Sequence, residues 1–276
     1  MTFSIAARSP DGRALGVAVA SKFLAVGAVV PAAEAEVGAV ATQAYANLAF
    51  RPQGLTLLRT GVTPADAVTG LTAADPGRAR RQLGVVGATG EGATFTGDAC
   101  PDWAGGTAGD GYAIQGNILA GPQVVDAMRD VWLAAAGESS FGRRLLAALQ
   151  AGDAAGGDRR GRQSAALLVV AKGAGYGAGS DVAVDLRVDD HPDPVAELGR
   201  LLDVHALLFD RPDPRTLLEL TGALADEVRQ RLAAAGFADR ELDGSLEAWA
   251  GEENLEERLV PGRIDPLVLA HLRSVT

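Results

Sequence analysis

The chain of 276 residues is long enough for one large or two modest domains, and 47% of it is hydrophobic although only 5% is aromatic. Its 25 basic against 35 acidic side chains leave a net charge of −10, which disfavours nucleic acid and anionic membranes as partners. The single cysteine, Cys100, excludes intrachain disulfides and Cys-rich zinc sites and suits a reducing compartment.

Two apolar stretches, residues 2–7 and 14–20, flank the turn signal Pro10-Asp11-Gly12 and predict a hairpin. A third strand is predicted over 37–43. Leu55, Leu58 and Gly61 mark a short helix and its terminator. Thr63-Pro64-Ala65-Asp66 then supplies an N-cap, a first-turn proline and an acid at the positive end of the next helix. Asp75-Pro76 starts a further helical turn. Strands return at 82–88, 93–96 and 111–119. Pro122 opens a helix with Val125, Met128, Trp132 and Ala135 on one face, where Met128 and Trp132 read as core. Ser139 or Ser140 caps another, carrying Phe141, Leu145, Leu146 and Leu149 and stopped by Gly152. Two strands, 164–171 and 182–188, close the region.

Hairpins alternating with helix pairs fit an α+β fold, a four-layer αββα sandwich of two antiparallel sheets with helices outside. No Gly-x-Gly-x-x-Gly fingerprint follows a strand, which argues against a doubly wound parallel sheet. Near Pro192-Asp193-Pro194 the character changes. A helix over 195–209 is broken by Arg211-Pro212-Asp213-Pro214, after which Leu217, Leu220, Leu224, Val228 and Leu232 keep helical spacing to Gly236. Asp265-Pro266 caps a last helix. The division expected is 1–195 and 196–276, the second part small, mostly helical and separable. No charged segment followed by an apolar one opens the sequence, and no apolar run reaches about 18 residues, so the expectation is a soluble, cytoplasmic protein without a membrane partner.

Three polar constellations interrupt this apolar pattern. In the stretch Gly156 to Ser164, at the start of a strand, Asp158, Arg160 and Ser164 read as groups for an amine, a carboxylate and a developing alkoxide respectively, with Gln163 a further substrate-binding candidate, or the whole reads as a solvated turn. Ser21-Lys22 ends the second strand, where a lysine beside an amine lowers that amine's pKa. Gln43, Asn47, Gln115 and Asn117 place neutral amides in apolar segments, suited to a substrate amide or an oxyanion, or to satisfied burial. Asp181, Asp185, Asp189, Asp190 and His191 crowd one stretch, but an interdomain turn explains them better than a metal, and no cofactor is expected. Thr2 becomes interesting if Met1 is removed: one residue would carry a nucleophilic hydroxyl and an α-amine of pKa about 8 to act as its base.

The runs Met1-Thr2-Phe3-Ser4-Ile5, Gly16-Val17-Ala18-Val19 through Ser21-Lys22-Phe23, Val40-Ala41-Thr42-Gln43-Ala44 and Gln115-Gly116-Asn117-Ile118-Leu119 resemble the bacterial family called domain of unknown function 1028. So do Gly156-Gly157-Asp158, Gln163-Ser164-Ala165 and Asp185-Leu186-Arg187-Val188-Asp189-Asp190-His191-Pro192, collinearly over about 1–195. Ala248-Trp249-Ala250-Gly251 and Ile264-Asp265-Pro266 resemble a peptidoglycan-binding-like domain that follows this family. The first family is grouped with N-terminal-nucleophile hydrolases. That resemblance implies the αββα sandwich and an amidohydrolase acting on a small amide or peptide-like substrate with Thr2 as nucleophile. Because Lys22 ends the neighbour of the first strand and the 158–164 loop enters the same sheet, Thr2, Lys22, Asp158 and Ser164 are expected to converge on one cleft. The opposing reading is a non-catalytic protein that binds a small molecule or cell-wall fragment on a scaffold that has lost its chemistry. A homo-oligomer is expected in either case.

Overall fold

The computed structural model describes residues 2–138, 140–238 and 241–276. It is an α+β structure with two main antiparallel sheets and eight α-helices among the described residues. The first ten strands are β1 (Thr2–Arg8), β2 (Ala14–Ser21), β3 (Pro31–Glu34), β4 (Gly38–Ala44), β5 (Arg81–Gly87), β6 (Ala93–Thr96), β7 (Gly105–Gly109), β8 (Tyr112–Asn117), β9 (Ser164–Ala171) and β10 (Val182–Val188). Six form one sheet in the order β10-β9-β2-β1-β8-β7, and β3-β4-β5-β6 form the other. Helices α1 (Phe50–Arg59) and α2 (Pro64–Ala73) join β4 to β5, α3 (Gln123–Ala134) and α4 (Phe141–Ala154) join β8 to β9, and α5 (Pro194–Phe209) follows β10.

Side chains alternate across a strand, so a central strand serves two layers. On β1, Phe3, Ile5 and Ala7 are buried with Val125, Met128 and Trp132 of α3, Leu145 and Leu149 of α4, and Leu198 and Leu202 of α5. Ala6, with Leu15, Val17 and Val19 of β2, is buried against Ala39 and Ala41 of β4 and Val86 of β5, so the two sheets share an apolar layer. The far face of the four-stranded sheet, Val40, Leu83 and Val85, meets Phe50 and Leu58 of α1 and Val68 and Leu71 of α2. Each fully buried aliphatic side chain in these layers contributes about 1.5–3 kcal/mol.

Most predicted elements appear within two residues of their expected ends. Thr63 caps α2 by accepting from the Asp66 N–H, and Ser140 caps α4 through the Arg143 N–H. Ser139, the other expected cap, lies outside the described residues. Two strands of the main sheets were not foreseen. β3 is short, and β7 is Gly-Gly-Thr-Ala-Gly, without apolar alternation; a Cβ on Gly106 would sit 2.7 Å from the Ile114 carbonyl, so only glycine lets this edge strand approach β8.

The chain divides by its contacts into one unit ending at Leu202 and a second, Asp203–Thr276. The boundary expected at 195/196 therefore falls in the first turn of α5. The second unit has its own core of Val228 and Leu232 on α6 (Gly222–Ala234), Leu246 and Trp249 on α7 (Leu242–Glu252), and Leu269 and Leu272 on α8 (Pro266–Val275). Leu217 and Leu220 do not extend α6: β11 (Leu218–Glu219) pairs with β12 (Arg263–Ile264), and Gly222, at φ +54°, turns the chain into the helix. No helix among the described residues is long and apolar enough to cross a membrane.

Leu198 is fully buried in the first core, so Leu198→Ala should cost about 2–5 kcal/mol in urea unfolding of the whole chain. For the same reason a chain ending at 195 should be soluble only transiently, and one ending at Phe209 should give a cooperative melt.

Candidate active site

The strand register assembles a polar row at one end of the six-stranded sheet. Thr2 lies opposite Asn117 on β8 and beside Ser21 on β2, and Ser21 lies opposite Ser164 on β9. The next row on the same face carries Gln115, Ser4, Val19 and Ala166, and the third is apolar: Ala113, Ala6, Val17 and Leu168. The layer between the sheets thus changes from hydrocarbon to hydroxyls and amides as it approaches Thr2.

Thr2 is only 6% exposed, and its hydroxyl shares a 3.1 Å hydrogen bond with the Ser21 hydroxyl. Its carbonyl accepts from Gln43 Nε2 at 3.3 Å and Asn117 Nδ2 at 3.5 Å. Both amides also donate to Gln82 Oε1, at 2.7 and 2.8 Å. Ser4 donates to Gln43 Oε1 and accepts from Gln115 Nε2, each at 2.6 Å. Ser4, Gln43, Gln82, Gln115 and Asn117 are all buried, an environment in which an unbonded amide costs about 1–3 kcal/mol. Two residues in left-handed backbone adjoin this cluster: Ala44 at φ 64°, after Gln43, and Ile118 at φ 51°, after Asn117. A β-branched residue in that region is strained, and such strain concentrates at functional sites.

The other expected catalytic residues occupy adjoining strand ends, but their side chains bond elsewhere. Lys22 is exposed, and its Nζ donates to the Arg162 carbonyl at 3.3 Å. Asp158 is buried and accepts from the Lys22 backbone N–H at 2.7 Å and the Arg160 N–H at 2.9 Å, so it ties two loops together. Arg160 donates to the Lys22 carbonyl at 3.0 Å. Ser164 is fully buried, donates to the Phe23 carbonyl and accepts from the Val26 N–H at 3.1 Å. Of the expected substrate groups, Gln43, Gln115 and Asn117 join the cluster around Thr2. Asn47 instead bonds Asp75 and the Ala49 N–H at the start of α1, and the Gln163 side chain reaches Asp190 at 3.2 Å. Asn117 was expected to donate to an oxyanion; its nitrogen is already engaged, and its free atom is the acceptor Oδ1.

Ser21 and Gln82 belong to the cluster and were not among the expected site residues. Gln82 carried a signal: like Gln43 and Gln115, it is a lone amide in an apolar strand. Among the described residues no group of three metal-binding side chains occurs, and Asp181, Asp185 and Asp190 are spent on Lys172, Arg187, Gln163 and the Gly173 N–H. Burial pushes the Cys100 thiol above its ordinary value, so it is not a ready thiolate. The larger hollows, of about 510 and 520 Å³, lie against α2 with β6 and between α1 and α2, and neither is lined by Thr2 or its partners.

These features define an α+β protein in which hydroxyls and amides from both sheets surround the first residue of a central strand. The chain belongs to the DUF1028 family, described as a family of unknown function, which matches residues 2–198. Residues 208–272 match a domain described as a "putative peptidoglycan binding domain". A crystal structure of a DUF1028-family protein from Silicibacter pomeroyi is similar at 35% identity and a TM-score of 0.66, covering 83% of this chain and 94% of that one. No functionally curated protein matches.

Ser164→Ala would leave the Val26 N–H and Phe23 carbonyl unsatisfied and should cost about 1–3 kcal/mol in urea unfolding. Asp75, beside the Asn47 turn, is held below the usual carboxylate range chiefly by its hydrogen bond from Arg81. Its folded pKa is depressed, so its stabilisation is complete above the ordinary value near ~3.9 and fades as pH falls below it. Asp75→Asn should therefore lower the melting temperature at neutral pH and leave the difference from wild type small in strong acid, as read by thermal melts across pH.

Proposed function

We propose that the first unit is an N-terminal-nucleophile amidohydrolase on an αββα sandwich, with Thr2 as nucleophile once Met1 is removed. Met1 itself lies outside the described residues. The observation that carries the reading is the environment of Thr2: a hydroxyl bonded to Ser21 and a carbonyl held by two buried amides, at the head of a strand with neighbours on both sides. Nothing in packing alone calls for this much buried polarity there. The three core layers, helix–sheet, sheet–sheet and sheet–helix, support the four-layer arrangement.

In this mechanism the Thr2 hydroxyl attacks the carbonyl of a small amide or peptide-like substrate while the α-amine takes its proton. The C–N bond breaks, the amine returns the proton to the leaving nitrogen, and water hydrolyses the Thr2 ester by the reverse sequence. Ser21 orients the hydroxyl. Asp158 and Arg160 hold the loop after β2, and Lys22 and Arg160 add positive charge at its rim for an anionic substrate.

One observation favours the binding reading. The match over 208–272 adds a domain whose description points to peptidoglycan, so the second unit would take a cell-wall fragment.

Intact mass and periodate oxidation test the catalytic reading. Periodate cleaves an unblocked N-terminal threonine, a 1,2-amino alcohol, to a glyoxylyl group; a chain lighter by one methionine and fully periodate-sensitive is expected. Retained methionine or an acetylated Thr2 removes the base and leaves the binding reading. Cosedimentation of the whole protein with purified peptidoglycan tests that second reading, and weak binding at most is expected.

A further inference from the structure

We propose that Gln82 is a positioning residue that sets the direction of the amide hydrogen bonds at the Thr2 carbonyl and thereby leaves Asn117 Oδ1 as the open acceptor for an N–H group of the ligand. The inference rests on the amidohydrolase reading for its functional meaning but on backbone chemistry for its geometry.

An amide side chain can face either way, and what settles it is a neighbour that can only accept or only donate. Gln82 Nε2 lies 2.7 Å from the Gly116 carbonyl and 3.3 Å from the Gly105 carbonyl, with Thr96 Oγ1 at 2.9 Å. Carbonyl oxygens never donate, so the nitrogen must be at this end. Gln82 Oε1 then faces Gln43 and Asn117, and both must turn their NH2 groups to it. Those same NH2 groups reach the Thr2 carbonyl. Gln43 Oε1 consequently points to Ser4, whose proton goes to it, so Ser4 Oγ accepts from Gln115 Nε2. One glutamine, anchored on two backbone carbonyls, thus fixes four other side chains.

The chain of donors ends on two buried oxygens without a protein partner among the described residues, Gln115 Oε1 and Asn117 Oδ1. Gln115 Oε1 is covered by backbone: a Cβ on Gly84 would lie 2.1 Å from it. Asn117 is different. It stands opposite Thr2 in the ladder and is 1% exposed, so its open oxygen is desolvated beside the proposed nucleophile. A buried acceptor left open discriminates in favour of a donor, and the class it selects is an amide N–H or a primary amine.

The test uses the full chain and an alkyl β-lactone, which acylates a hydroxyl by forming the Thr2 Oγ–acyl bond as the ring C–O bond opens and takes up the proton. Gln82→Met removes the polarity and should slow acylation, followed by intact mass, by roughly tenfold to a hundredfold. Gln82→Glu keeps the shape but donates to the Gly116 carbonyl only when protonated. Protonation of the Thr2 amine slows both proteins as pH falls, but the ratio of the Gln82→Glu rate to the wild-type rate should recover toward one through the introduced carboxyl's pKa. Equal rates in wild type and Gln82→Met, or no recovery in Gln82→Glu, would overturn the inference. A wild-type protein that never acylates sinks the amidohydrolase reading instead. The geometry is then judged by hydrogen exchange of the Gln43 and Asn117 side-chain amides, which should be protected in wild type and released in Gln82→Met. Unchanged protection would overturn it. If Gln82→Met does not fold, the pH response of Gln82→Glu decides.

Discussion

Strand β1 has a neighbour on each side, β2 and β8, and a packed layer on each face. That double confinement leaves its residues no freedom: odd positions must fill the helix layer and even positions the space between the sheets. Phe3 and Ile5 satisfy the first demand. Ala6 is small enough for the second, and Thr2 and Ser4 bring the hydroxyls that make the end of the layer polar. A register slip of one residue would move Ser4 and Gln115 into hydrocarbon and expel Phe3, so register and site are the same constraint.

The polar end comes at an energetic cost, because each amide in it is desolvated. The cost is contained by sharing acceptors: Gln82 Oε1 takes two donors, and the Thr2 carbonyl takes two. In a low-dielectric interior such bonds reinforce one another, and a network anchored on backbone carbonyls has one arrangement rather than several. The apolar rows behind it hold the sheets together, so the amides define geometry while hydrocarbon supplies stability.

The second unit solves a different problem. The last carbonyls of a helix lack intrahelical partners, and Arg258 donates to that of Leu207 at the end of α5, adds a second donor to the Ala206 carbonyl that already accepts from the Asp210 N–H, and pairs with Asp265 in a buried contact. Asp265 also caps α8 through the Leu267 N–H at 2.8 Å. Losing either charge would leave the other buried and unpaired, a change costing several kcal/mol. The unit therefore stands on its own core and its own ion pair.

Much of this was legible in order along the chain. Apolar stretches flanking turn signals such as Pro10-Asp11-Gly12 gave the hairpins, Thr63, Ser140 and Asp265 marked helix starts, and the lone amides Gln43, Gln115 and Asn117 stood out because apolar strands rarely carry them. The family resemblance pointed to Thr2. What the amino acids alone determined was therefore local: which segments are strands or helices, and which side chains are chemically out of place. Only the tertiary structure decided which of those meet. Ser21 rather than Lys22 faces Thr2, because its position in the β2 register turns the serine inward and leaves the lysine past the strand end. Asp158 and Ser164 bond backbone groups of the loop after β2, and Gln82 reaches Asn117 only because two sheets stack. Hydrogen bonds between residues 35 to 115 positions apart have no signature in sequence spacing, since they depend on distances that exist only after the layers have packed.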